Sequence, residues 1–443
     1  MTTTSIESIG KNDSVSQKQN LTVLWLCNIM LPRIGETLKQ PYYSIGGWLT
    51  GMSEELANTP EIKLTVVFPQ SFSQSLIFGE TEQYSFRGFP RDDYHLSDYK
   101  RNTILLFKQI IRQVHPDIIH IFGTEDIYSN YMIHASFEEG LLNHTVINIQ
   151  GLATAIADNY YAGLPDRVIN RYTFRDWYKH NGIKEQKDKF IKQGIDEIDS
   201  IKMAQHIIGR TDWDEKMCKM YNPKVNYHYC NETLRNAFYN NLWCYCNCQK
   251  HSIFLSEVNY PVKGFHIVLQ AMPKILQQYP DAQIFTTGPD LLHLGLSGLI
   301  KQTSYVKYLR ELMFQNGLEK HITFLGILGE QKMCNEYLNA NVFLCPSSIE
   351  NSSNSIGEAM LLGTPVIASD VGGTRSIMGN NADGQMYQFR NTDALADAVM
   401  HVFSIKKNSE IISLQERKRA MELYDPQKNN NCLIRIYHEV LKA

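Results

Sequence analysis

The chain has 443 residues, of which 43% are hydrophobic and 20% are charged, and its formal net charge is −3. This length allows two or three domains, and the composition is that of a globular protein with a large core. The balanced charge excludes a strongly basic protein, so we expect no nucleic-acid partner. No apolar run in the sequence is long enough to span a bilayer.

Residues 1–19 are polar and lack the apolar stretch of a secretory signal, so they predict a disordered tail. The chain has nine cysteines, and their only close cluster is Cys244, Cys246 and Cys248. A zinc site usually needs a second pair of ligands at a similar spacing, and the sequence has no clear one. We therefore predict free thiols and no metal site, which suits a cytoplasmic protein.

In the first half, apolar runs that predict strands alternate with segments whose apolar residues have helical spacing. Buried strands are predicted at residues 21–27 and 63–68, from Pro116 onwards, and at 145–149. Gly46 and Gly47 open a helix that runs to about Asn58. Glycines there let a ligand or another backbone come close, although a tight packing turn explains them as well. His120 lies at the carboxyl end of its strand, where α/β sheets place functional groups, and the alternative is a packed histidine.

Residues 150–203 form an unusually long helical insertion. Between Arg167 and Lys192 it carries eight Lys or Arg residues against three acids. Aromatic residues are interleaved with these charges: Tyr172, Phe174, Trp177, Tyr178 and Phe190. Such a surface suits anionic lipid or an anionic acceptor. The alternative is a solvated helix with the aromatic side chains buried beneath it.

Asp212 and Asp214 match a short metal-binding pattern, but they open a helix after Thr211, where acidic residues and a threonine cap are expected anyway. Residues 222–250 lack periodicity and predict a link between two domains. The second half then repeats the alternation, with strands at residues 251–256, 282–286, 322–325, 341–345 and 365–368. The pattern predicts an α/β protein with a parallel sheet in each half.

Residues 341–368 form a strand, loop, helix and strand unit, and its central stretch, residues 346–365, carries two carboxylates, Glu350 on the loop and Glu358 inside the helix start. Free backbone N–H groups at a helix start favour anions, and carboxylates accept hydrogen bonds from hydroxyls. The combination suits a ligand with phosphates and many hydroxyls, such as a sugar nucleotide. The alternative for Glu358 is a capping box, with Ser355 as the N-cap.

These motifs, in this order, resemble the family-4 retaining glycosyltransferases of GT-B architecture. The second half carries the stronger likeness, through Lys263-Gly264, Gly288-Pro289, Phe324-Leu-Gly326, Pro346-Ser347, the Glu350 and Glu358 pair, Gly363-Thr-Pro365-Val and Asp370-Val-Gly-Gly373. The first half is looser and matches through Gly46-Gly47 and Pro116-Asp-Ile-Ile-His120.

The resemblance implies two Rossmann-like, doubly wound domains that face each other across a cleft. After the tail at 1–19, residues 20–235 would bind the acceptor and include the 150–203 insertion. Residues 236–424 would bind the nucleotide-sugar donor. Residues 425–443 would form a helix that crosses back to the first domain.

The same resemblance implies roles for individual residues. Glu358 would hold the nucleotide ribose, and Glu350 the hydroxyls of the donor sugar. Lys263 would neutralise the diphosphate, and His120 would line the reaction centre. Backbone groups would complete the donor site, at Gly46, Gly47, Gly326, Asn354, Ser355 and Ile356.

One position departs from the family pattern, because Glu257 stands where the family usually has an arginine that binds the diphosphate. Arg210 or Arg235 could supply the missing charge. The implied reaction is metal-independent, cofactor-free sugar transfer with retention, from a UDP- or GDP-sugar to a glycan or lipid-linked acceptor, in surface polysaccharide or glycoconjugate synthesis. It would take place in the cytoplasm, with peripheral contact to the inner membrane surface. Two alternatives are a sugar-nucleotide epimerase and a catalytically impaired sugar-nucleotide-binding subunit.

Overall fold

The computed structural model describes residues 20–41, 47–91, 98–380, 382, 384–404 and 406–442. Within them, the first half forms a sheet of eight strands in the order β3-β4-β2-β1-β5-β6-β7-β8. All neighbouring strands are parallel except the antiparallel pair β3 and β4. The strands are β1 Leu21–Leu26, β2 Ile62–Gln70, β3 Ile77–Glu80, β4 Ser85–Pro90, β5 Ile118–Phe122, β6 Thr145–Asn148, β7 His206–Gly209 and β8 Asn226–Tyr229.

Helices cover both faces of this sheet. In chain order they are α1 Pro32–Leu38, α2 Gly47–Ala57, α3 Tyr99–Val114, α4 Ile127–Glu138, α5 Ala153–Asn159, α6 Asp166–Ile169, α7 Phe174–Lys179, α8 Ile183–Met203 and α9 Asp212–Tyr221. Pro32 opens α1, because proline fits the first helical position, where no N–H partner is needed.

The second half forms a parallel sheet of six strands within the described residues, in the order β11-β10-β9-β12-β13-β14. The strands are β9 Ser252–Leu255, β10 Gln283–Thr286, β11 Ile322–Phe324, β12 Val342–Cys345, β13 Val366–Ser369 and β14 Met386–Tyr387. The remaining helices are α10 Phe265–Gln278, α11 Gly295–Lys301, α12 Ser304–Gln315, α13 Glu330–Asn339, α14 Asn354–Leu362, α15 Thr374–Met378, α16 Thr392–Ser404, α17 Lys406–Leu423 and α18 Pro426–Val440. The prediction of a parallel α/β sheet in each half is confirmed.

The strand order defines where a ligand can lie in each sheet. In the second sheet the order reverses between β9 and β12, and in the first it reverses between β1 and β5. The connections on the two sides of such a point lead to opposite faces of the sheet, so a crevice opens beyond the carboxyl ends of those strands.

The last helix, α18, packs on the first domain. Its apolar face joins the core around Trp25, and the Trp25 indole N–H donates to the Tyr437 hydroxyl over 3.0 Å. Leu433, Ile436 and Val440 are at most 2% exposed. Burial of each side chain of this size stabilises the contact by roughly 1.5–3 kcal/mol. Helix α18 is therefore packed against the first domain.

The insertion at 150–203 contacts both domains. Tyr160, Leu164 and Val168 lie in the core of the second domain. The Arg171 guanidinium donates to Glu311 on α12 over 2.8 Å. The alternative that its aromatic side chains are buried is wrong for four of them, since Tyr172 is 46% exposed, Phe174 and Tyr178 65%, and Trp177 63%.

Residues 222–250, predicted to link the two domains, contain β8, an edge strand whose side chains are only partly buried, so its sequence lacks a clear alternation. The prediction of free thiols is wrong for two cysteines of this segment. Cys244 and Cys246 are joined by a disulfide rather than being free thiols, because their Cα atoms stand 5.3 Å apart, within the range a disulfide spans. The third member of the cluster, Cys248, is free and buried.

Candidate active site

Lys263 and Glu350 meet at the crevice of the second sheet. Lys263 ends the connection from β9 to α10, and Glu350 lies on the connection from β12 to α14. These connections touch, because the Ser348 N–H donates to the Val262 carbonyl over 2.7 Å. The Lys263 ammonium stands 2.8 Å from the Glu350 carboxylate, to which the Ser347 hydroxyl also donates over 2.6 Å. A cation and a carboxylate thus lie together where a ligand is expected.

The charges around Lys263 hold it protonated. Burial alone would lower the pKa of Lys263, but Glu350, Tyr260 and Glu257 together raise it well above its usual value. Glu257 itself lies half-buried in the same cluster. Burial raises the pKa of Glu257 although Lys263 opposes the shift, and Glu350 raises it further. The pKa of Glu257 is therefore higher than that of an exposed glutamate, although Lys263 lies in the same cluster.

Arg235 and Glu358 form a bidentate ion pair. Both contacts are 2.7 Å, and the side chains are 13% and 8% exposed. Arg235 also packs on Gly47 at the start of α2, where any side chain would overlap it. A cavity of about 350 Å³ adjoins the pair and is lined by Gly47, Thr50, Gly51, Leu234, Arg235 and Glu330.

The capping alternative for Glu358 is wrong. Helix α14 begins at Asn354 after the N-cap Ser353, which makes no side-chain capping bond, and Ser355 is already helical. The Glu358 carboxylate is used by Arg235 instead. Burial raises the pKa of Glu358, and Arg235 opposes that shift. A buried carboxylate fixed by a guanidinium is poised to accept hydrogen bonds in one orientation.

Arg210 lies beneath the start of α14 and is 1% exposed. One of its nitrogens donates to Glu232 over 2.6 Å and to Asn354 over 2.7 Å, and another donates to the Ser352 carbonyl over 3.2 Å. It therefore joins the first domain to the loop that carries Glu350. In this conformation the charge of Arg210 is paired with Glu232, and the burial of the side chain keeps it from contacting a phosphate.

The other predicted donor-site positions take no part in these ion pairs. Ile356 is fully buried, so only its backbone could contact a ligand. Gly326 follows the edge strand β11, and its carbonyl accepts from the Gly288 N–H over 3.0 Å. Gly46 lies outside the described residues.

His120 presents no atom to the cleft in this structure, contrary to the expectation that it lines the reaction centre. Its ring is fully buried in the middle of β5, stacked on Phe122, and its Nδ1 lies 2.7 Å from the Tyr437 hydroxyl. Burial lowers the pKa of His120 to about 3, so the ring is neutral. The strand extends to Phe122, which places His120 two residues before its end.

The interpretation of Asp212 and Asp214 as capping residues is confirmed. The Thr211 hydroxyl accepts from the Asp214 N–H over 3.1 Å, and the Asp214 carboxylate accepts from the Thr211 N–H over 3.3 Å. This reciprocal pair is a capping box at the start of α9.

The sequence interpretation missed Glu125, which follows β5 at the crevice of the first sheet. The Thr124 N–H donates to its carboxylate over 2.9 Å. Its oxygens lie between two glycines, since a Cβ added at Gly123 or Gly151 would stand 2.5 or 2.6 Å from them. Next to Gly151, the Gln150 carbonyl accepts from Asn351, the neighbour of Glu350, over 3.2 Å. The signal available in the sequence for Glu125 was a glutamate shortly after the glycine that follows a strand.

Glu125 gives the stability of the protein a distinctive pH dependence. Burial and, to a smaller extent, Glu197 raise the pKa of Glu125 to about 7, although backbone hydrogen bonds oppose the shift. Between the unfolded-state pKa and this value the folded state binds a proton that the unfolded state has released, so stability falls as pH rises through this interval to about 7. Glu125→Gln should remove this part of the decline. Thermal unfolding midpoints at several pH values test it, with Glu138→Gln on an exposed helix face as the control. Parallel pH curves for wild type and Glu125→Gln would contradict the assignment.

Residues 249–419 match the family described as Glycosyl transferases group 1. The matched residues run from just before β9 into α17. An uncharacterized glycosyltransferase from Methanocaldococcus jannaschii is 30% identical over 176 residues, which are 40% of this chain and 41% of the relative. Phosphatidyl-myo-inositol mannosyltransferase from Mycobacterium leprae is 26% identical over 197 residues, 43% of this chain and 47% of the relative. The chain thus spans less than half the length of these curated relatives.

Solved structures extend the likeness to both domains. Sucrose-phosphate synthase from Thermosynechococcus elongatus superposes with a TM-score of 0.68 at 14% identity, over 95% of this chain and 99% of that one. Anabaena HepE in complex with UDP-glucose gives a TM-score of 0.62 at 14% identity, over 95% and 99%. The group 1 domain is therefore one half of a GT-B architecture, with two Rossmann-like domains facing across a cleft.

Proposed function

We propose that this protein is a glycosyltransferase that moves a sugar from a nucleotide-sugar donor to a hydroxyl of a glycan or lipid-linked acceptor. We further propose that it retains the anomeric configuration, needs no metal ion and serves surface polysaccharide or glycoconjugate synthesis. The observation that carries the proposal is the pair of Lys263 and Glu350 at the crevice of the group 1 domain, 2.8 Å apart. At its reacting end, a sugar diphosphate requires a cation for the phosphates and a group that accepts hydrogen bonds from the sugar hydroxyls.

In the proposed reaction, the acceptor oxygen forms a bond to the anomeric carbon as the bond from that carbon to the diphosphate oxygen breaks. The electron pair leaves with the diphosphate, which takes up the acceptor proton on the same face. Lys263 stabilises the developing negative charge, and the backbone N–H groups of Asn354, Ser355 and Ile356 add to it. Glu350 then exchanges its contact with Lys263 for hydroxyls of the donor sugar.

The second ion pair supports the nucleotide half of the proposed donor. Glu358 would accept hydrogen bonds from the ribose hydroxyls, and the bidentate contact with Arg235 would hold its carboxylate in place. A cavity of about 350 Å³ lies beside Arg235. Arg235 is thus a positioning residue in this proposal, because its charge is paired with Glu358.

The donor proposal predicts selective stabilisation by one class of sugar nucleotide. UDP-, GDP- and ADP-sugars are compared in thermal unfolding, and a ligand at 100 times its Kd should add about 2.7 kcal/mol of stability. Anabaena HepE was solved with UDP and UDP-glucose, so a UDP-sugar is the expected ligand. Glu350→Gln should reduce the extra stabilisation given by the sugar over the free nucleotide, whereas Glu358→Gln should reduce both. No shift with any sugar nucleotide would overturn the donor site.

Glu257 favours one competing function, a sugar-nucleotide-binding subunit without turnover, because a carboxyl group replaces a cation beside Lys263. That function predicts donor binding with no product on any acceptor. An epimerase would instead change the donor sugar with no acceptor present. Product analysis with and without an acceptor separates these two outcomes from sugar transfer.

A further inference from the structure

Helices α7 and α11 together expose an apolar surface that the proposed reaction does not use. We name it the α7–α11 patch, and it consists of Tyr172, Phe174, Trp177, Tyr178, Leu296, Leu299 and Ile300. Leu296 is 84% exposed and Ile300 60%, and the four aromatic side chains are between 46% and 65% exposed. A groove of about 560 Å³ runs between the helices, lined by Tyr172, Phe174, Leu299 and Ile300.

The density of these side chains distinguishes the patch from ordinary surface. Single exposed apolar residues are common, but contiguous groups of them mark binding surfaces. Phe174 stacks on Tyr178 with an interplanar angle of 13° and packs beside Trp177 with ring centroids 6.0 Å apart. The rings therefore form one continuous apolar surface that faces solvent.

Most charged side chains around the patch are basic, although Glu185 and Asp188 also lie near Tyr172. Residues 172–180 and 294–303, together with the neighbouring Lys307, include four Lys or Arg side chains at or beside the rings: Arg175, Lys179, Lys301 and Lys307. Asp176 is the acid within these two ranges, and it is fully buried, where it accepts from the Ser304 N–H over 2.8 Å. Nearby, Glu185 accepts from the Tyr172 hydroxyl. An anionic partner therefore meets apolar rings with basic groups at their edge.

The patch also stands beside the cleft. Helix α7 belongs to the connection that leaves the carboxyl end of β6, and α11 belongs to the connection that leaves the carboxyl end of β10. These two sheet edges face each other, as the contact of Gln150 with Asn351 shows. A partner bound at the patch is therefore held next to the mouth of the cleft, with one helix contributed by each domain.

We propose that the α7–α11 patch docks this protein on a bilayer surface rich in anionic lipid headgroups. Trp, Tyr and Phe side chains lie at the depth of the headgroups, and lysine and arginine contact the phosphates. The inference rests on the proposed function, since docking would present a lipid-linked acceptor to the cleft. No helix in the described ranges is long and apolar enough to cross a bilayer, so the attachment proposed is peripheral.

Co-sedimentation with vesicles tests the patch directly. The full chain is mixed with vesicles of phosphatidylcholine alone, or of phosphatidylcholine with phosphatidylglycerol. Wild type should bind the anionic vesicles, and salt should weaken the binding. The variant Phe174→Ser, Trp177→Ser, Tyr178→Ser should bind at least about tenfold less. Lys301→Glu with Lys307→Glu should lose the preference for the anionic vesicles.

The matched control is Phe137→Ser on α4, since Phe137 is 60% exposed but lies outside the patch. It should bind vesicles like wild type, and all variants should keep the wild-type unfolding midpoint. Equal binding by the triple variant, or no binding by wild type, would overturn the proposal. Self-association that the triple variant abolishes, without vesicle binding, would assign the patch to a second copy instead. Vesicle binding needs no donor, so its failure is distinct from a failure of the thermal-shift test.

Discussion

Replacing Lys263 by alanine is expected to reduce the rate of sugar transfer by roughly 10²–10³-fold while leaving the protein folded. The ammonium stands 2.8 Å from Glu350, at the crevice of the second sheet. Without it, the proposed leaving diphosphate would lie next to the carboxyl groups of Glu350 and Glu257. The loss should appear in kcat at saturating donor, because the interaction strengthens as charge develops in the transition state.

Lys274→Ala provides the control for Lys263. Lys274 is also paired with acids, Asp393 and Asp397, but its side chain is 38% exposed on α10. This substitution should leave kcat within about twofold of wild type, as expected for an exposed ion pair. Transfer by Lys263→Ala at the wild-type rate would remove the assignment of Lys263 to the diphosphate.

The second large effect is expected from Arg235→Ala, which should lower the free energy of unfolding by about 3–5 kcal/mol. The substitution removes both 2.7 Å contacts to Glu358, whose side chain is 8% exposed, and leaves a carboxyl group buried without its cation. Urea unfolding near neutral pH measures the change. Because burial raises the pKa of Glu358 and Arg235 no longer opposes that shift, the destabilisation should be smaller at acidic pH.

A double variant separates the structural role of this pair from its role in binding. Arg235→Met with Glu358→Leu removes both charges, so most of the lost stability should return. Donor binding should not return, because the carboxylate proposed for the ribose is gone. Wild-type stability in Arg235→Ala, or wild-type donor affinity in the double variant, would contradict this account.

The candidate site was partly predictable from the sequence. Lys263 and Glu350 lie between a strand and the helix that follows it, and Glu358 lies near the beginning of α14, so their positions can be recognised from local pattern. Their contacts were not predictable. Lys263 and Glu350 are 87 positions apart, and Arg235 and Glu358 are 123 apart, so only the packing of distant loops brings them together.

His120 and Glu125 show the same limit on the first sheet. Local pattern places His120 at the carboxyl end of its strand, but the strand extends two residues further, so the His120 side chain lies within the sheet rather than at the crevice beyond the strand ends. The structure buries His120 against Tyr437 of the last helix and places Glu125 between Gly123 and Gly151. The burial of His120 depends on a helix more than 300 residues away in the chain.

The sequence by itself determined the α/β class, the parallel sheet in each half and the order of the crevice motifs, because hydrophobic periodicity and strand-end residues are local properties. Only the tertiary structure decided which charges pair and which aromatic side chains of the 150–203 insertion face solvent. The reason is physical: periodicity indicates that a residue is apolar or charged, whereas burial and pairing depend on what the other domain places against it.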